Sequence, residues 1–181
     1  MPQAGGSAAE DVRSPRRVEP DEAELVRRAQ LGSAAAFDQL VLTRGPDVFR
    51  YLAVLLRNES DARDALQETM TAAWQGLPAL RQPDRFWPWL VAIAARKAAA
   101  ISRGRAREGV FDFDLLAQDE ASALELHDAV GRLPDHLRDV LVLRFRLQLT
   151  EKEVAEALGV RVGTVKSRSA RARRALEELL R

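Results

Sequence analysis

The segment from Leu149 to Arg174, LTEKEVAEALGVRVGTVKSRSARARR, leaves this chain little freedom in how it folds. Thr150 is placed to cap a helix, and Glu153, three residues on, completes the pattern of a capping box. Val154, Ala155 and Leu158 then fall on one side at helical spacing. Gly159 follows where a turn needs a residue free to take positive φ. Val160 and Val165 can pack back on the first helix, so the segment reads as helix, tight turn and second helix. In a helix-turn-helix the second helix enters the major groove of DNA.

The charge of the second helix agrees. Arg161, Lys166, Arg168, Arg171, Arg173 and Arg174 follow one another without an acidic residue between them. A helix so charged gains affinity by releasing counterions from phosphate. A solvated surface helix can also be basic; capping box, glycine turn and basic second helix together favour DNA.

Elsewhere the charge is segregated in blocks, although the net charge is only +1. Arg81, Arg85, Arg96, Lys97, Arg103, Arg105 and Arg107 face only Asp84 in their stretch, whereas Glu108 to Asp128 is acidic without a Lys or Arg. Two nucleic-acid-facing modules around an acidic connector are the natural reading. Ala, Leu and Val dominate the apolar residues and aromatics are few, which favours helices over sheets. With no Cys and only His127 and His136, thiolate zinc sites, disulfides and thiol chemistry are excluded, and neither a metal site nor a cofactor is expected. No run reaches the length of a membrane span, and the first residues lack the apolar core of a signal peptide. A cytoplasmic protein without membrane insertion is expected.

The expected fold is all-α: two small helical domains joined by an acidic linker. Residues 1–20 should be a disordered tail, 21–107 a first domain, 108–120 the linker and 121–181 the helix-turn-helix domain. In the first domain Asp21, Ser33 and Ser60 are the expected helix caps, and Gly45-Pro46 should break or kink the second helix. Ala62, Ala65, Leu66, Thr69 and Trp74 of the third helix can face the core, leaving Asp61, Asp64, Gln67 and Glu68 outward. Pro88 is tolerable only in the first turn of the next helix, where Trp89, Leu90 and Ile93 read as buried.

In this order the pieces resemble an extracytoplasmic-function (ECF, group IV) sigma factor of bacterial RNA polymerase, in the sigma-70 family. The resemblance rests on AFDQL at Ala36 to Leu40, DARDALQETMTAAW at Asp61 to Trp74 and FWPWLVAIA at Phe86 to Ala94. It continues with LPDHLRDVLVLRF at Leu133 to Phe145 and the stretch from Leu149 to Arg168, ending in GTVKSR. Its first domain would be sigma region 2 and its second region 4. The resemblance implies that Asp61, Asp64, Gln67 and Glu68 dock on the coiled coil of the β′ clamp of core RNA polymerase. It implies that the loop from Leu77 and the helix after it recognise and melt the −10 element, with Arg85, Phe86, Trp87, Arg96, Lys97, Arg103 and Arg105 touching promoter DNA. An extruded base needs a stacking face and its backbone needs cations. Region 4 would read the −35 element through Arg161, Thr164, Lys166, Ser167, Arg168 and Arg171, beside the β flap. The chain would thereby direct polymerase to promoters of a stress or envelope-response regulon, and an anti-sigma factor is a further implied partner.

Departures from the family pattern are confined. Ala95-Arg96 and Ala100 stand where an Arg-Asn pair and an Asp are usual, Arg161 stands where a small polar cap is usual, and Ser169 replaces an apolar residue. Two other functions compete with this one. A stand-alone helix-turn-helix regulator binding an operator as a dimer would need a ligand pocket or dimer helix in the N-terminal half. An enzyme finds no support, because the carboxylates are spread along helix faces without catalytic spacing.

Overall fold

The computed structural model describes residues 21–104 and 121–181, and the described residues are helices and turns without a strand. The expected tail (1–20) and acidic linker (108–120) lie outside the described residues. Helix α1 (Glu22–Gln30) buries Ala23, Leu25, Val26 and Ala29 against α2 (Ala34–Leu56). Asp21 sits at its N-cap position but makes no capping bond with its side chain. Gly32, at φ +92°, turns the chain, and Ser33 then caps α2 by accepting the Ala36 N–H at 3.3 Å.

Helix α2 is continuous through Pro46, so of the break or kink expected at Gly45-Pro46 the break does not occur. Pro46 lacks the N–H that would bond the Leu42 carbonyl, and Leu42 is 76% exposed, so water can take that acceptor. On both sides of it the buried stripe continues, with Phe37 and Leu40 before and Val48, Tyr51, Leu52 and Leu55 after. Packing outweighs the one lost hydrogen bond.

Arg57 ends α2 in the left-handed region, and Asn58, not Ser60, caps α3 (Glu59–Gly76). The Asn58 side chain accepts the Asp61 N–H at 3.0 Å, because its extended backbone is the last non-helical position before α3. Ala62, Ala65, Thr69 and Ala73 form the inner face of α3. The buried Thr69 hydroxyl donates to the Ala65 carbonyl at 2.6 Å, so no polar atom is stranded there. Trp74 is 39% exposed at the edge, tilted against Phe37 at 5.0 Å, rather than inside.

Two short 3₁₀ turns, Leu77–Ala79 and Pro83–Arg85, lead to α4 (Phe86–Gly104). The Gln30 amide holds this loop by donating to the carbonyls of Leu77 (3.1 Å) and Leu80 (2.7 Å). Pro88 lies in the first turn of α4, where its missing N–H has no intrahelical acceptor to lose. Trp89 is half-buried across Gly76, where an added Cβ would come within 3.1 Å of the indole.

The C-terminal half comprises α5 (Ala121–Arg132), α6 (Asp135–Leu141), α7 (Glu151–Leu158) and α8 (Val162–Leu179). Helix α6 widens into a π turn at Val142–Arg146, closed by the Leu147 N–H on the Val142 carbonyl at 3.0 Å. Leu133, Leu137 and Ala172 join α6 to α8. Val140, Leu143, Leu147, Leu149, Val154 and Val165 belong instead to the same buried cluster as the N-terminal helices. The two halves are therefore packed on each other, chiefly α4 on α7.

Candidate nucleic-acid interface

Helix α7 is held at its start by both bonds of the capping box. Glu153 N–H donates to the Thr150 hydroxyl at 3.3 Å, and Thr150 N–H donates to the Glu153 carboxylate at 2.8 Å. Gly159 takes φ +65°, and α8 begins after Arg161, whose extended backbone caps the helix without a side-chain bond. Val165 and Ala172 are fully buried and fix the rotation of α8 about its axis. Arg161, Lys166, Ser167 and Arg171 are left exposed, with Thr164 and Arg168 half-buried. The Ser167 hydroxyl donates to the Thr164 carbonyl at 3.0 Å, which leaves its oxygen able to accept. Lys166 lies 3.7 Å from Glu151, an exposed pair that DNA can displace. The Ser169 hydroxyl is buried behind this helix with no hydrogen-bond partner.

On the other half, Phe86 is only 1% exposed and belongs to the core, so it is no surface group for DNA. It packs 6.1 Å from Trp89, whereas Trp87, one residue on, faces the C-terminal half. Trp87 is half-buried: its indole N–H donates to the Leu147 carbonyl at 3.1 Å, and the Arg44 guanidinium lies 4.7 Å over its ring. Arg44 is itself held by Glu22. Arg85 pairs with Glu156 at 2.9 Å, Lys97 with Glu68 at 3.0 Å, and Arg96 is exposed. The side chain of Arg103 and all of Arg105 lie outside the described residues.

The third face is on α3. Asp64, Gln67 and Glu68 are exposed together and, with Lys97, line a shallow groove of about 430 Å³; Asp61 is half-buried at its N-terminal end. A larger cleft of about 990 Å³ lies where the two halves meet, lined by Tyr51, Arg96, Asp139, Glu156 and Arg168 among others. Burial, and then the charge of Asp139, hold the Tyr51 hydroxyl well above its ordinary pKa.

Several of these groups carry no mark in the sequence. Arg44 and Glu156 are ordinary charged helix residues until their partners, far away in the chain, are known. Arg138 is buried and donates to the carbonyls of Val130 (3.2 Å), Gly131 (2.8 Å) and Leu133 (2.7 Å), and to Asp135. It organises the corner on which α8 rests, and its neighbours DHLRDVL look like any amphipathic turn.

Two helical modules, one with a seated basic recognition helix and one with an acidic face beside a basic helix, define a DNA-directed protein that also has a protein partner. Among the described residues no helix is long and apolar enough to cross a membrane. Family profiles match the same two modules: Sigma-70 region 2 over residues 40–108 and Sigma-70, region 4 over residues 123–176. RNA polymerase sigma-H factor of Pseudomonas aeruginosa is 30% identical over 181 residues, covering 87% of this chain and 92% of that protein. The ECF RNA polymerase sigma factor SigM of Mycobacterium tuberculosis is 34% identical over 171 residues, covering 91% and 87%. The structure of CnrH in complex with the cytosolic domain of CnrY superposes with a TM-score of 0.68 at 31% identity, covering 88% of this chain and 96% of that one. The fold is shared also by RpoE of Bartonella quintana in its complex with the anti-sigma factor NepR (TM-score 0.70, 24% identity, 80% and 96% covered). The chain belongs to the sigma-70 family, in its ECF group, and is an RNA polymerase sigma factor.

Proposed function

We propose that residues 21–107 dock on core RNA polymerase and open the −10 element, while residues 121–181 read the −35 element. Asp61, Asp64, Gln67 and Glu68 meet the coiled coil of the β′ clamp, an acidic and amide-rich face suited to a basic partner surface. The C-terminal half lies beside the β flap. Lys166 and Arg171 reach base edges or phosphates from α8, with Arg161, Thr164, Ser167 and Arg168 along the same groove. Trp87 is the stacking face for an extruded −10 base, and Arg85, Arg96, Lys97, Arg103 and Arg105 hold the backbone. Binding energy alone drives these steps, with no covalent chemistry by the chain. The seated, outward-facing basic helix α8 is the observation that carries this reading.

Core polymerase works in the cytoplasm, which places this chain there. CnrH is solved with CnrY and the Bartonella factor with NepR; by that likeness an anti-sigma factor is a partner here as well. A stand-alone operator-binding regulator has no use for a region 2 module over residues 40–108. Reconstitution tests the proposal: core enzyme with the chain should co-elute and give transcripts from a promoter library that core alone does not transcribe. Core binding without promoter-specific transcripts would overturn the assignment.

A further inference from the structure

We propose that Glu22, Gln30 and Arg44 are positioning residues for promoter opening: they fix Trp87 and the loop before it in the shape that captures the −10 strand. The proposal rests on the assignment of that loop and of Trp87 to the −10 element, and adds three residues to it. Glu22 and Gln30 belong to α1, which precedes residues 40–108 matched by the region 2 profile.

Helix α1 grips the promoter-opening surface from both of its ends. At its C-terminal end the Gln30 amide has one hydrogen for each of two acceptors, the Leu77 carbonyl at 3.1 Å and the Leu80 carbonyl at 2.7 Å. The Leu80 N–H donates to the same Leu77 carbonyl at 3.0 Å, so Gln30 braces the first 3₁₀ turn from outside. Leu77 is fully buried, whereas Pro78, Ala79, Arg81, Gln82 and Asp84 are exposed. The loop is thus anchored at its base and presents its tip. At the N-terminal end of α1, Glu22 pairs with Arg44 of α2, and the Arg44 guanidinium lies 4.7 Å over the Trp87 ring. The Glu22 and Arg44 side chains are 27% and 30% exposed, so water screens their pairing less than it would on an open surface.

A loop of short 3₁₀ turns has few bonds of its own, and an aromatic side chain must give up rotamer freedom to stack on a base. Contacts that order both before DNA arrives remove that cost from the capture step. All of these contacts lie within the N-terminal half. They do not depend on the bond from the Trp87 N–H to the Leu147 carbonyl, which crosses the seam between the halves.

Holoenzyme reconstituted with the full chain gives three readings: affinity for core, for a −35 duplex and for a single-stranded −10 oligonucleotide. Trp87→Ala is the reference and should weaken −10 strand binding. Gln30→Met keeps the length of the side chain and removes its donors. It should weaken −10 strand binding about fivefold or more, while the other two affinities change less than about twofold. Glu22→Gln should weaken −10 strand binding about threefold with the same selectivity. With 5-fluorotryptophan the chain carries three fluorine labels, and Trp87→Phe assigns one resonance. Glu22→Gln should shift or broaden that resonance. A helix that merely stabilised the fold would lower the unfolding midpoint without selective loss at the −10 strand. Unchanged −10 strand binding in Gln30→Met and Glu22→Gln, or a parallel fall in all three affinities, overturns the proposal. An unmoved Trp87 resonance in Glu22→Gln overturns the part played by Glu22 and Arg44. If Trp87→Ala itself leaves −10 strand binding intact, the promoter assignment fails first and takes this inference with it.

Discussion

The Lys97 ammonium lies 3.0 Å from the Glu68 carboxylate, joining the helix assigned to promoter opening to the face assigned to polymerase docking. The pair is exposed enough that its own contribution to stability is roughly 0–1 kcal/mol. Lys97→Ala should accordingly leave thermal unfolding nearly unchanged, while open-complex formation loses about one unit of salt slope. On the docking face, reversing Asp61 and Asp64 together to Lys should weaken core binding at least tenfold, roughly 1.4 kcal/mol, without loss of helix content. Circular dichroism and a core-binding titration check both, and a double variant that binds core normally refutes the docking face.

On α8, Lys166→Ala and Arg171→Ala should each weaken −35 recognition and leave core binding intact. A lost base contact costs roughly 1–3 kcal/mol, and a lost phosphate contact lowers the salt slope by about one. Footprinting across a salt series separates the two cases, and unchanged footprints would move the DNA-facing surface elsewhere.

Arg138 is only 3% exposed and serves three carbonyls at one corner. Arg138→Met keeps the apolar stem but orphans those acceptors, and should cost about 3 kcal/mol in denaturant unfolding. Loss of under about half a kcal/mol would mean that the corner rearranges freely.

Tyr51 tests the packed seam by pH. Its hydroxyl is held neutral by burial and then by the charge of Asp139, so its folded pKa lies above the unfolded value near 10.0. The folded state then binds more protons than the unfolded one. The corresponding stability is fully present below the unfolded pKa and declines as pH rises from there through the folded pKa. Tyr51→Phe should remove that alkaline decline and, by deleting an unpartnered hydroxyl, add about 1 kcal/mol at neutral pH. Urea midpoints at neutral and alkaline pH decide it.

The departures on α4 bear on specificity. Ala95 is buried and Ala100 is a bare methyl on an exposed position, whereas Arg96 is an exposed cation. Hydrogen-bond readout of bases should weaken there while phosphate attraction grows. Selection from a promoter library randomised in both elements should give a −10 consensus less sharp than the −35 consensus. An equally sharp −10 consensus would show that neighbours such as Lys97 or Ser102 restore the readout.

What the sequence determined by itself was local. Thr150, Glu153 and Gly159 specify the start and end of α7 because capping and left-handed turns involve residues within about four positions of each other. The exposed rows of α8 and α3 follow in the same way from the helical period. Tertiary structure decided whatever depends on a neighbour far along the chain. Phe86 and Trp87 are adjacent aromatics, and only the packing of α4 sends one into the core and the other to the seam. Pro46 is a helix breaker by its own chemistry, yet α2 persists because buried residues on both sides of it hold the helix to its neighbours. Asn58 rather than Ser60 caps α3 because Arg57 turns out of α2 in the left-handed region, which leaves Asn58 as the last extended residue before α3. Arg85 and Glu156 are 71 residues apart, and Trp87 and Leu147 are 60 apart. No periodicity encodes such pairs; they exist because burying the small residues of α4 against α7 brings their side chains within reach.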